Sequence, residues 1–107
     1  MTQAEAEWLL AECRRKIDAI DVQLRDLLSQ RATIVGDVVR AKETLAMPVY
    51  EPKREEDVVH KATRDNPGPL SEEALRNIFE TIMREMRQIQ QVYLDRKEPQ
   101  QRGTTEW

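Results

Sequence analysis

The apolar residues of the first half of the chain fall on a three-four beat. Leu10, Cys13, Ile17, Ile20, Leu24, Leu27, Ile34 and Val38 share one helical face, the stripe of a helix that buries a seam against other helices. From Trp8 to Leu45 there is no Pro, and Gly36 is the one Gly. The stretch therefore predicts one helix of about ten turns, from about Glu7 to Leu45. Residues 1–6 are polar and are expected to fray. Pro48 breaks the connector Ala46–Glu51, and Pro52 suits the first position of a second helix, where its missing N–H costs nothing. That helix runs to about Arg64, with Val58, Val59 and Ala62 as its apolar face and Glu55, Glu56 and Asp57 near its positive end. Asp65-Asn66-Pro67-Gly68-Pro69 is a strong break. Ser71 is then a good N-cap, with Leu70 and Leu75 able to staple the entry. The third helix carries Leu75, Ile78, Phe79, Ile82, Met83, Met86, Ile89 and Tyr93 and is expected to end near Lys97, before Pro99. The expected fold is all-α: three helices, long, short and long, in one domain over 1–107, with an ordered core of about 7–97 and a flexible tail at 98–107.

Two cations interrupt the first stripe. The beat after Leu27 is Arg31, and the beat after Val38 is Lys42. An unpaired buried cation costs several kcal/mol, and no carboxylate stands on that seam to serve both. Either an anionic ligand meets them, or both side chains snorkel to water. They lie ~16 Å apart along the axis and within ~20° of one face, so long side chains can converge on a small molecule between them. The helix would be on the order of 50 Å long, whereas a compact domain of this size has a radius of gyration of roughly 13 Å. Such a helix cannot bury its seam within its own chain, which implies an oligomer, most simply a two-fold dimer.

Composition narrows the possibilities. Charged residues make up 35% and aromatics 5%, and the net charge is −3 with no basic block, which argues against a nucleic-acid surface. The apolar runs are too short to span a membrane, and the N-terminus has no secretory pattern. A single cysteine, Cys13, fits a reducing cytoplasm; its position on the stripe reads as a small core residue. The one histidine, His60, reads as a solvated helix residue, so a metal site has no ligand set, and no nucleophile triad or phosphate loop is present. What remains is a set of cations and hydrogen-bonding groups. Arg14 lies ~25 Å along the axis from Arg31, so only an antiparallel partner brings it near. Glu51, Arg54 and Glu55 stand where the second helix begins, and Gln90 lies beside the third helix's stripe; each also has a plain reading as a surface residue.

Taken in order, Arg14, Ile17, Asp21, Arg31, Val35-Gly36, Ala41-Lys42, Pro48-Val49, Glu51, Arg54-Glu55 and Gln90 resemble the AroQ-class, all-helical chorismate mutases, over roughly residues 8–95. The resemblance implies an intertwined homodimer whose two active sites draw on both chains. It implies conversion of chorismate to prephenate on the route to Phe and Tyr, without cofactor or metal. Carried over by position, Arg31 and Arg14 of the partner subunit would bind the substrate's two carboxylates. Lys42 would contact a carboxylate and the ether oxygen, and Gln90 would donate to that oxygen. Glu55 would accept from the ring hydroxyl, with Glu51 and Arg54 beside it. Many relatives place Ser where this chain has Met86, so one anchoring contact would be weaker or missing. Such a rearrangement is intramolecular and needs orientation and preorganised donors rather than covalent chemistry.

Three rivals stand beside this reading. One is an isochorismate-pyruvate lyase on the same fold. Another is a mutase-like subunit that works well only when docked to another shikimate-pathway enzyme. The last is a helical dimer that serves only as an interaction module.

Overall fold

A computed structural model describes residues 1–96 in full. The helix end expected near Lys97 and the tail expected over 98–107 lie outside them. Three helices follow one another: α1 (Gln3–Leu45), α2 (Pro52–Thr63) and α3 (Glu72–Glu106). Among the described residues there is no strand, so the chain is all-α with the expected long, short, long order. No helix among them is long and apolar enough to cross a membrane.

Local chemistry sets the helix ends. The start of α1 lies further back than the expected Glu7. Thr2 Oγ1 accepts from the Glu5 N–H at 3.1 Å, and the Ala6 N–H donates to the Thr2 carbonyl at 3.0 Å. Thr2-x-x-Glu5 has the spacing of a capping box, which satisfies N–H groups that a frayed end would leave to water. At the other end α1 closes in a Schellman motif: Met47 N–H donates to Lys42 O at 2.9 Å and Ala46 N–H to Glu43 O at 3.3 Å. The reversal puts Ala46 in the left-handed region at φ 54°, where glycine is usual. Pro52 opens α2 as expected. Thr63 Oγ1 bonds back to the Val59 carbonyl at 2.9 Å, and Arg64 N–H closes the helix on His60 O at 3.0 Å. In the break that follows, Asn66 Oδ1 accepts from Gly68 N–H at 3.1 Å and Asn66 Nδ2 donates to Leu70 O at 2.7 Å. Ser71 caps α3 as expected, its Oγ accepting from the Ala74 N–H at 3.0 Å.

The chain divides into two units, residues 1–33 and 34–107. The first is helix alone, and its apolar stripe is exposed: Leu10, Ile17, Ile20, Leu24 and Leu27 all face outward. Cys13, read from the sequence as a core residue, is exposed as well, because nothing in this unit is placed to cover it.

The second unit holds the core: Val35, Val39, Val59, Met83 and Met86. On α1 the buried face is Val35, Val39 and Lys42. It is rotated from the expected stripe, whose members Ile34 and Val38 are exposed. Gly36 permits close approach here. A Cβ at Gly36 would stand 3.2 Å from the Tyr93 ring, so hydrogen at that position lets the ring lie against α1.

Candidate active site

Lys42 and Gln90 are the two buried polar side chains among the described residues, each 8% exposed. Lys42 comes from the last turn of α1 and Gln90 from α3. Gln90 therefore lies on the buried face of α3, one turn beyond Met86, rather than beside it. Lys42 Nζ donates to Gln90 Oε1 at 3.0 Å and to the Val49 carbonyl at 2.8 Å, and it pairs with Glu51 Oε1 at 2.9 Å. The ammonium thus meets three oxygens, two by hydrogen bond and one as an ion pair.

This corrects two expectations for Lys42. The side chain does not snorkel to water, and its counter-ion lies within the chain. The seam on α1 indeed has no carboxylate; the connector supplies one. The Schellman turn at Ala46 reverses the chain, so that Val49 and Glu51 return beside Lys42. With Oε1 committed to Lys42, Gln90 keeps its Nε2 amide for donation elsewhere. A small cavity of about 30 Å³ lies between Val39, Lys42, Glu43, Met47, Gln90 and Leu94. That is room for about one water.

One turn after Glu51, Glu55 meets a second cation that the sequence reading missed. Arg87 Nη1 on α3 donates to Glu55 Oε1, and both side chains are half-buried. The Arg87 guanidinium also lies over the Tyr50 ring, 4.9 Å from its centre. The signal was present: Arg87 is four residues after Met83 and three before Gln90, on the edge of the buried face.

The structure thus brings Lys42, Glu51, Glu55, Met86 and Gln90 into one unit. Met86 is buried. Arg54 takes no part in this cluster: it is exposed and bonds Asp57 Oδ2 at 3.0 Å. Lys61 pairs with the same oxygen at 3.2 Å. The Lys61 hydrogen bond, aided by Arg54 and opposed by slight desolvation, holds the Asp57 carboxyl below its ordinary value. Arg14 is exposed and Arg31 half-buried in the first unit. His60 is exposed, as expected.

In this all-helical chain a buried lysine, bound to a buried amide and a loop carboxylate, forms a site of preorganised polar groups. The chain matches the family described as chorismate mutase type II over residues 13–91. A chorismate mutase from Methanocaldococcus jannaschii is 30% identical over 89 residues, covering 80% of this chain and 88% of that protein. A bifunctional chorismate mutase/prephenate dehydratase from Pseudomonas aeruginosa is 39% identical over 79 residues, which cover 69% of this chain and 22% of that relative. Among solved structures, chorismate mutase form II from Thermus thermophilus superposes with a TM-score of 0.74 at 30% identity, covering 77% of this chain and 93% of that one. Chorismate mutase from Helicobacter pylori in complex with prephenate gives 0.73 at 32% identity, covering 81% and 94%. The chain belongs to the type II chorismate mutases, the all-helical family that its sequence resembles.

Proposed function

We propose that this chain rearranges chorismate to prephenate as a homodimer, with residues 1–107 forming one mutase domain in the cytoplasm. The buried Lys42–Gln90 pair carries the reading. Bond breaking leaves charge on the ether oxygen, and two preorganised donors on that oxygen stabilise it where water is excluded. In this reading Lys42 contacts a substrate carboxylate and the ether oxygen, and Gln90 Nε2 donates to the same oxygen. Arg31 and Arg14 of the partner subunit hold the two carboxylates. Glu55 accepts from the ring hydroxyl, with Glu51 and Arg54 nearby. Met86 offers no hydroxyl, so carboxylate anchoring rests on the arginines.

One observation favours a dimer. The stripe from Leu10 to Leu27 is uncovered, and a second chain would cover it. No nucleophile, metal or cofactor enters the step. The barrier must fall by at least ~8 kcal/mol; one well-aimed donor supplies ~3 to 4 kcal/mol, so Lys42 and Gln90 together account for much of it. A glutamine donates at any pH, so this position should cause no loss of turnover between about pH 5 and 8. A steep loss in that window, in folded dimer, would count against Gln90 as the donor.

The testing experiment is loss of chorismate absorbance with purified protein alone, with prephenate identified as product. Saturable conversion supports a self-sufficient mutase. No conversion by folded dimer, followed by turnover of isochorismate or activity only with a shikimate-pathway partner enzyme, would replace this reading.

A further inference from the structure

We propose that Arg87 is a positioning residue that holds and neutralises Glu55, with Tyr50 fixing the plane of its guanidinium. The inference rests on the reading of Glu55 as the acceptor for the substrate's ring hydroxyl. Three segments meet at this point. Arg87 comes from α3, Tyr50 from the connector and Glu55 from the first turn of α2. The guanidinium donates to Glu55 Oε1 and lies 4.9 Å over the Tyr50 ring. A planar fork with one edge on a carboxylate and one face on an aromatic ring is fixed in orientation, which a lysine cannot reproduce. Both members of the ion pair are half-buried, so solvent screens them less than an exposed pair.

Charge gives the second argument. Glu51 and Glu55 stand four residues apart, and like charges at that spacing repel. On the same reading both border the substrate, which is a dianion. Two uncompensated carboxylates there would oppose its entry. The structure gives each carboxylate its own cation: Lys42 takes Glu51 and Arg87 takes Glu55. Arg87 therefore leaves Glu55 as a neutralised, oriented acceptor rather than a repelling charge. The Glu55 N–H that starts the α2 hydrogen-bond ladder, donating to Glu51 O at 3.0 Å, ties the Glu55 backbone to the connector.

The test is a mutant cycle on the full-length protein, with two readouts. Arg87→Leu is expected to raise KM for chorismate about tenfold to a hundredfold, the cost of misplacing a binding group, with kcat less affected. Arg87→Lys, which keeps the charge and loses the fork, should recover part of that loss. In a Glu55→Gln background, Arg87→Leu should add less than about twofold, because residues acting through one another are not additive. Full multiplication of the two losses would overturn the proposal. Independently, amide hydrogen exchange at Glu55, Glu56 and Asp57 should accelerate in Arg87→Leu; unchanged exchange would also overturn it, whatever the activity. If wild-type protein fails to turn over chorismate while the exchange response is present, the activity reading falls and the Arg87–Glu55 link stands.

Discussion

Residues 1–33 and residues 34–96 use their apolar side chains in opposite ways. In the first unit, Leu10, Ile17, Ile20, Leu24 and Leu27 keep strict helical spacing and are all exposed. In the second, Val35, Val39, Val59, Met83 and Met86 are buried against one another, with two polar side chains, Lys42 and Gln90, in their midst. One helix, α1, contributes to both units. A regular stripe shows that a face is meant to be covered; it does not show whether the cover comes from the same chain. The second unit buries part of its apolar surface and builds a charged site inside, while Ile34, Val38, Leu45 and Ile78 stay exposed. The first carries a face with the regularity of a core and has no cover among its own residues.

The comparison can be broken most decisively at Lys42. Lys42→Ala should reduce turnover by about a hundredfold to a thousandfold, the cost of a lost preorganised donor, while the far-UV circular dichroism stays helical. Chorismate consumption reads the first and the spectrum the second; unchanged turnover would sink the catalytic assignment. Leu24→Glu tests the other unit. If a second chain covers the stripe, a buried carboxylate there costs several kcal/mol, and sedimentation should show monomer with turnover lost. If Leu24 faces water in solution, stability should move by no more than about 0.5 kcal/mol and the oligomeric state should not change.

Ala46→Gly sharpens the picture at the turn that returns Val49 and Glu51 to Lys42. Relief of a left-handed alanine should stabilise the protein by about 1 kcal/mol, read as a higher urea midpoint at unchanged slope. The smallest effect lies on the exposed face of α2. The Asp57 carboxyl is held below its ordinary value, chiefly by Lys61. A depressed carboxyl contributes stability above its unfolded value, near pH 4, and loses it as pH falls through the lower folded value. The small Tm advantage of wild type over Lys61→Ala should therefore be present at pH 6 and vanish in strong acid.

Much of this was legible in the residues. Pro52, Ser71 and the Asp65–Pro69 break act through local backbone chemistry, and each ends or begins a helix where its side chain dictates. Lys42 and Gln90 stood out as polar groups at or beside core positions. Thr2 was equally local, but its capping pattern lay within a segment read as frayed. The partners of Lys42 and Glu55 were not legible, because they depend on where a turn returns the chain. Glu51 reaches Lys42 only after the reversal at Ala46, and Arg87 reaches Glu55 only once α2 and α3 pack. The rotation of the α1 face from Ile34 and Val38 to Val35 and Val39 has a similar cause. Both stripes are apolar, and only the packing of the second unit decides which one turns inward.

The Lys42 ammonium has one further consequence. It already meets Val49 O, Gln90 Oε1 and the Glu51 carboxylate before any ligand arrives. Taking up a substrate oxygen then displaces a contact to Glu51, Val49 or Gln90. The net gain is the difference between two well-made contacts, which is small for any anion that merely replaces a carboxylate. Simple dicarboxylates should compete weakly at this lysine, and discrimination among ligands would fall to the shape of what they bring with the charge.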